Sequence, residues 1–190
     1  MSTKTHDVCP VEHAGTFDRW YRYYLQNPDF ILKGLVRPGM TALDIGAGPG
    51  YFTIPMAKMV GEKGKVIAAD VQQGMLDLAA KKAAENGVKD RVELHLTEPG
   101  QIKVKEPVDF VLAFYMVHEV PDADSFMNEV FGILKPGGKL LAAEPAFFWL
   151  LQGMFKNLVD AALRAGFVAL EQKRFFLARS VLLAKPEDAA

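Results

Sequence analysis

The stretch Thr41-Ala42-Leu43-Asp44-Ile45-Gly46-Ala47-Gly48-Pro49-Gly50-Tyr51-Phe52 decides the fold class. Ala42–Ile45 is a near-continuous apolar run, the pattern of a parallel strand buried on both faces. Three alternating glycines follow, and from Phe52 to Val60 apolar residues recur at helical spacing. Strand, glycine turn and helix in that order place the turn at the carboxyl edge of an open α/β sheet, where ligands bind. Glycines there let the backbone bend sharply and approach a ligand, and the helix offers free N–H groups to it. A dinucleotide fingerprint spaces its glycines G-x-G-x-x-G. Here the spacing is G-x-G-x-G and the bulky Tyr51 follows. That argues against a pyrophosphate at the helix start and suits an amino-acid-like tail.

Outward from this turn, strands are predicted at Thr41–Ile45, Val66–Ala69, Val92–Leu96, Phe110–Phe114 and Leu140–Ala143. Helices are predicted at Phe52–Val60, Met75–Glu85, Ser125–Leu134 and about Gln152–Ala165. Such alternation implies a doubly wound, mostly parallel sheet covered on both faces. Val92-Glu93-Leu94-His95-Leu96 alternates strictly, as expected of a strand near an edge with one wet side. The region Glu98–Pro107, with Pro99, Gly100 and Pro107, is left without an assignment. After Gly166, Phe167–Phe176 and Ser180–Ala184 follow each other with no helix between them, which predicts an antiparallel hairpin and one reversed strand. Before the first strand, Phe17, Trp20, Tyr21, Tyr24 and Leu25 share a helical stripe. Asn27-Pro28 opens a second short helix running to about Val36. The expected organisation is an arm and helical appendage over 1–36 and a catalytic domain over 37–190.

Twenty residues beyond Gly50, the second strand ends in Asp70. A carboxylate at that point can accept both hydroxyls of a ribose. The three segments Leu43–Gly50, Asp70 with Met75-Leu76, and Leu134-Lys135-Pro136-Gly137-Gly138-Lys139-Leu140 together resemble the class I S-adenosylmethionine-dependent methyltransferase family. The branch of closest resemblance holds the ubiquinone/menaquinone C-methyltransferases and the arsenite methyltransferases. The resemblance covers about residues 36–185. It implies a seven-stranded sheet with one antiparallel strand, and S-adenosylmethionine as cofactor. By position it implies that Asp44, Gly46, Ala47 and Gly48 hold the methionine part, that Asp70 takes the ribose hydroxyls, and that Val71 lies against adenine. Where the family often has Gly-Asp-Ala after the third strand, this chain has Leu96-Thr97-Glu98, so Thr97 or Glu98 takes that place.

Methyl transfer from a sulfonium needs alignment of the acceptor, exclusion of water and, for a carbon or alcohol acceptor, a general base. The fourth strand runs into Tyr115-Met116-Val117-His118-Glu119-Val120. His118 titrates near neutrality and is the first candidate for a base or acceptor-positioning group; Tyr115 and Glu119 follow it. The competing reading for His118 is packing under the loop. Glu144, before Pro145, points to the same edge and either anchors the acceptor or caps the loop. Phe147-Phe148-Trp149-Leu150-Leu151 lines an apolar pocket or belongs to the core. Cys9 and His13 are four apart, but Pro10 interrupts them and no third ligand is at hand, so no metal site is assigned. A single cysteine also disfavours the arsenite activity.

A formal charge of −1 gives no general attraction to nucleic acid. The aromatic and basic residues from Phe17 to Tyr24 are read as packing or as a lid over the cofactor. The apolar stretch Leu140–Phe155 is broken by Glu144, Pro145 and Gln152 and is too short and polar to span a bilayer. One cysteine and an N-terminus without an apolar core segment fit a cytoplasmic protein, monomeric or homodimeric, acting on a small molecule. Two other functions compete: a nicotinamide-dependent oxidoreductase, which the glycine spacing disfavours, and a non-catalytic S-adenosylmethionine binder acting as sensor or partner subunit.

Overall fold

The computed structural model describes residues 25–146, 151–175 and 177–188. The predicted helix over Phe17–Tyr24, the pair Cys9 and His13, and the aromatic run Phe147–Leu150 lie outside the described residues. The elements are α1 (Pro28–Ile31), β1 (Thr41–Ile45), α2 (Thr53–Val60), β2 (Lys65–Asp70), α3 (Gln73–Glu85), β3 (Val92–Leu96), β4 (Val108–Phe114), α4 (Ala123–Ile133), β5 (Leu134–Pro145), α5 (Leu151–Arg164), β6 (Val168–Phe175) and β7 (Ala178–Ala184). They build one seven-stranded sheet in the order β3-β2-β1-β4-β5-β7-β6. Strands β1 to β5 are parallel, and β7 runs antiparallel to both β5 and β6. The doubly wound sheet with a reversed strand is thus the one predicted.

The two faces carry separate cores. On one, Phe126, Met127 and Val130 of α4 and Leu158 and Ala161 of α5 pack on Leu43, Val111, Leu140 and Val181. On the other, Met56 and Val60 of α2, Ala83 of α3 and Ile31 of α1 pack on Ala42, Val66, Phe110 and Leu112. Each fully buried Leu, Met or Phe contributes about 1.5–3 kcal/mol by leaving water. These layers therefore hold the strand ends, and the turns that follow them, in fixed positions.

Three expectations need correction. Asn27 caps α1 as predicted, its Oδ1 accepting from the backbone of Asp29 and Phe30, but the helix ends at Ile31 rather than near Val36. Turns carry the chain onward to buried Val36, because Leu32 and Val36 must both reach the core under β1. β3 is an edge strand, but it is wet on both sides: Leu94 and Leu96 are exposed while His95 is half-buried, its ring nitrogen 2.9 Å from the Ile102 carbonyl. β5 begins at Leu134, well before Leu140, because Val108 already pairs with Leu134; the register then shifts at Phe110–Lys139 to absorb the Pro136-Gly137-Gly138 segment. The unassigned region 98–107 forms neither helix nor strand. It is a loop that buries Ile102 and Val104, held by Glu129, whose carboxylate accepts from the backbone of Ile102 and Lys103.

Candidate functional site

The ends of β1, β2 and β4 open into one cleft, and the glycine turn forms its base. Gly46 and Ala47 donate to the Ala69 carbonyl, which ties the turn to β2. Gly46 has φ +69, and a Cβ there would lie 2.8 Å from Cβ of Met116 on the opposite wall; only glycine permits that approach. Gly48 also has positive φ, but a Cβ there would meet nothing within 4 Å, so its backbone faces open cleft.

Two buried carboxylates support the turn. Asp44 accepts from the Thr53 hydroxyl at 2.6 Å, at the start of α2. Asp70 accepts from the backbone N–H of Gly48 and of Gln72, each at 2.9 Å. Burial pushes the Asp70 carboxyl above the usual carboxylate range, and backbone hydrogen bonds from Gln72, Gly48 and Val71 partly offset that rise. Glu119 stands on the far wall. Among the described residues the lining therefore holds three carboxylates and no Lys, Arg or His. Such a cleft attracts cationic groups and repels a pyrophosphate.

Each candidate residue has a definite place. Asp44, Gly46, Ala47, Gly48, Asp70, Val71, Thr97, Tyr115 and Glu119 all line this cleft. Glu98 does not; it is exposed and pairs with Lys103 at 2.7 Å. His118 lies in an adjoining cavity of about 230 Å³ with Val117, Pro121, Asn157 and Leu158, and Val120 is a wall common to both spaces. There His118 Nδ1 is 2.6 Å from Oε2 of Glu144, a side chain only 2% exposed. The other Glu144 oxygen accepts from the backbone N–H of Val117 and of His118. Glu144 thus shapes the loop after β4 and fixes the imidazole, with Nδ1–H as donor and Nε2 left 4.0 Å from Glu119. The hydrogen bond to Glu144 raises the His118 pKa above 6.5 against the opposing effect of burial.

Tyr115 adopts φ +62, which a bulky residue rarely does. Long-range bonds hold it: its N–H donates to the Ala143 carbonyl, and its hydroxyl donates to the Leu177 carbonyl and accepts from Gln26 Nε2 at 2.6 Å. Gln26 is buried, and its carbonyl accepts from the Tyr51 hydroxyl at 3.0 Å. Gln26 was not singled out in the sequence, because nothing in its spacing marks a contact with Tyr115, 89 positions away; Tyr51 was read only as a bulky residue after the glycines and Met116 only as part of the loop after β4. Thr53 could have been found as a hydroxyl residue at a helix start. Among the described residues no group of three or more His, Cys, Asp or Glu is placed to hold a metal, and no helix is long and apolar enough to cross a membrane.

A family model described as a methyltransferase domain matches residues 37–175. A ubiquinone/menaquinone biosynthesis C-methyltransferase UbiE from Vibrio vulnificus is 34% identical over 111 residues, covering 57% of this chain and 42% of that protein. A demethylmenaquinone methyltransferase from Symbiobacterium thermophilum is 27% identical over 182 residues, 90% of this chain and 70% of that protein. The chain thus spans less than half the length of the Vibrio relative. Among solved structures, a SAM-dependent methyltransferase from Aquifex aeolicus superposes with a TM-score of 0.79 at 26% identity, covering 93% of this chain and 99% of that one.

Proposed function

The chain belongs to the methyltransferase-domain family, and from that premise we propose that it moves the methyl group of S-adenosylmethionine to a small, apolar or aromatic acceptor. The observation that carries this reading is the acid-lined, glycine-floored cleft: three carboxylates and, among the described residues, no cationic side chain suit a ligand bearing an ammonium and a sulfonium. When bound, that ligand supplies an electrophilic methyl group. The chain's own residues supply the rest. Gly46 and Gly48 bring backbone close to the amino-acid tail, Asp44 and Asp70 offer carboxylate oxygens, and Val71 and Thr97 flank the base.

The cavity beside it is walled by Val117, Val120, Pro121 and Leu158, which suits an acceptor ring, and its size suits a ligand smaller than a drug. His118 Nε2 takes the acceptor proton there, while Glu144 keeps Nδ1 protonated and stabilises the imidazolium that forms. The names of the quinone-biosynthesis relatives support an aromatic acceptor of this kind. Gln26, buried and bonded to the cleft residues Tyr51 and Tyr115, supports residues 1–36 as a lid on a domain over 37–190. The single cysteine supports a reducing, cytoplasmic setting.

Calorimetric titration with S-adenosylhomocysteine and with NAD, followed by transfer of labelled methyl into phenols and quinols, tests the proposal. Binding of the homocysteine product without NAD, and label in an aromatic acceptor, is the expected result. NAD binding alone would replace it with the oxidoreductase reading, and product binding with no transfer to any acceptor or cell extract would favour a sensor.

A further inference from the structure

The end of the sheet beyond Glu144 carries a second feature that the methyl-transfer reading leaves unused. Glu144 of β5 is in register with Arg179 of β7, and Arg179 is in register with Arg174 of β6. Side chains directly opposite on neighbouring antiparallel strands stand on the same face. Glu144, Arg179 and Arg174 therefore form one row across the face that α5 covers. With strands about 4.8 Å apart, the row runs about 10 Å outward from Glu144.

Glu144 is the natural partner of Arg179, yet both its oxygens are committed to the loop after β4 and to His118. Among the described residues neither Arg174 nor Arg179 has an ion pair, and two like charges stand directly opposite each other, an arrangement that costs stability in a sheet. The nearby Lys173 differs, since Glu171 pairs with it at 2.9 Å. The two arginines are walls of a cavity of about 320 Å³, completed by Gln172, Ser180 and the ion-paired Lys173 and floored by buried Phe155 of α5. Two guanidinium forks over an aromatic floor, with the Gln172 amide on the same face, have the chemistry of an oxyanion site on an aromatic ligand, whereas the Ser180 hydroxyl is spent on the Lys173 carbonyl.

We propose that Arg174 and Arg179 bind a carboxylate or phosphate group carried by the methyl acceptor, so that the acceptor lies along the Glu144–Arg179–Arg174 row with its reactive end at His118. This rests on the methyl-transfer reading and extends it to the charge of the substrate. An oxyanion between the two guanidinium groups relieves their repulsion and supplies the partner that Glu144 withholds from Arg179.

The test uses the full chain and calorimetric titration with benzoate, phenyl phosphate, phenol and inorganic phosphate, in parallel with S-adenosylhomocysteine. The variants are Arg174→Gln, Arg179→Gln and the pair together. Benzoate or phenyl phosphate should bind the wild-type chain at least tenfold tighter than phenol, and whichever of the two is tighter identifies the group. The double variant should lose at least tenfold of that affinity while binding S-adenosylhomocysteine as before. Aromatic anions that bind no better than phenol, or equally well to the double variant, would overturn the proposal. So would inorganic phosphate binding as tightly as phenyl phosphate, or a dependence on the two arginines seen only with phosphatidylglycerol vesicles and not with the aromatic anions. Loss of S-adenosylhomocysteine binding in the wild-type chain would instead strike the methyl-transfer reading and leave the anion site standing.

Discussion

The two halves of the sheet edge are built by different means. Around β1 and β2 the polar contacts join neighbouring strands and turns, none more than 22 positions apart: Asp70 meets Gly48 and Gln72, and Asp44 meets Thr53 nine residues on. Backbone amides and buried carboxylates make that half. Around β4, β5 and β7 the contacts reach further, over 26 positions from His118 to Glu144, 62 from Tyr115 to Leu177 and 89 from Gln26 to Tyr115. Side chains from distant segments make this half. A group common to every turnover can be held by a short fixed motif, whereas the acceptor side depends on which loops the fold brings together.

The contrast can be broken most severely at Gly46. Gly46→Val places a branched side chain at φ +69 and against Met116. A left-handed residue costs about 1–2 kcal/mol and overpacking adds about 1–3 kcal/mol. Urea unfolding should show that loss, and S-adenosylhomocysteine titration should show binding weakened by about 100-fold or more, the larger of these costs expressed in the cleft. Near-normal binding would mean that the turn is not shaped by the opposite wall.

Glu144→Ala attacks the other half. It strips a buried acceptor from two backbone N–H groups and from His118, at about 1–3 kcal/mol for each buried group left unsatisfied. We expect a matching drop in unfolding free energy and turnover lowered by about 10²-fold, with cofactor affinity close to normal. A variant that loses cofactor affinity and turnover equally would erase the division between the halves.

Asp70→Ala should weaken cofactor binding by about 1–3 kcal/mol through lost charge-assisted hydrogen bonds, read by the same titration. Because burial raises the Asp70 carboxyl, affinity in the wild-type chain should begin to fall on acidification at a higher pH than an ordinary carboxylate would give. Unchanged affinity in a folded Asp70→Ala variant would remove this residue from the cleft's work.

The smallest effect concerns His118. Its folded-state pKa lies above the unfolded value near 6.5, so the stability contributed by the charged His118–Glu144 pair is fully present below about pH 6.5. It is lost as pH rises through the folded value. Turnover that needs a neutral Nε2 runs the other way and should rise through that same value. In Glu144→Gln the midpoint of the pH–rate profile should move back toward 6.5, with imidazole NMR titration as the independent reading. A midpoint indifferent to Glu144 would show that the pair does not set the base.

Most of the sheet was legible because its strands announce themselves. Ala42–Ile45 is apolar but for Asp44 and Val111–Phe114 is apolar throughout, and they are the buried centre. The hairpin was legible from the absence of a helix between Phe167 and Ala184. The start of β5 was not, because Pro136-Gly137-Gly138 reads as a turn and only pairing of Leu134 with Val108 extends the strand back past it. Thr97 and Glu98 could not be separated by sequence, since adjacent residues after a strand differ only in which way they point. The fold turns Thr97 into the cleft and gives Glu98 to Lys103.

By itself the sequence determined the strand order's raw material, the glycine turn and the carboxylate that meets it, because backbone conformation and apolar periodicity are local properties. Only the tertiary structure decided that His118 is clamped by Glu144 in a cavity of its own, and that Glu144 is thereby withheld from Arg179. Those outcomes depend on β5 lying between β4 and a reversed β7, and on the faces that register assigns to each side chain. Neither is written in any single segment of the chain.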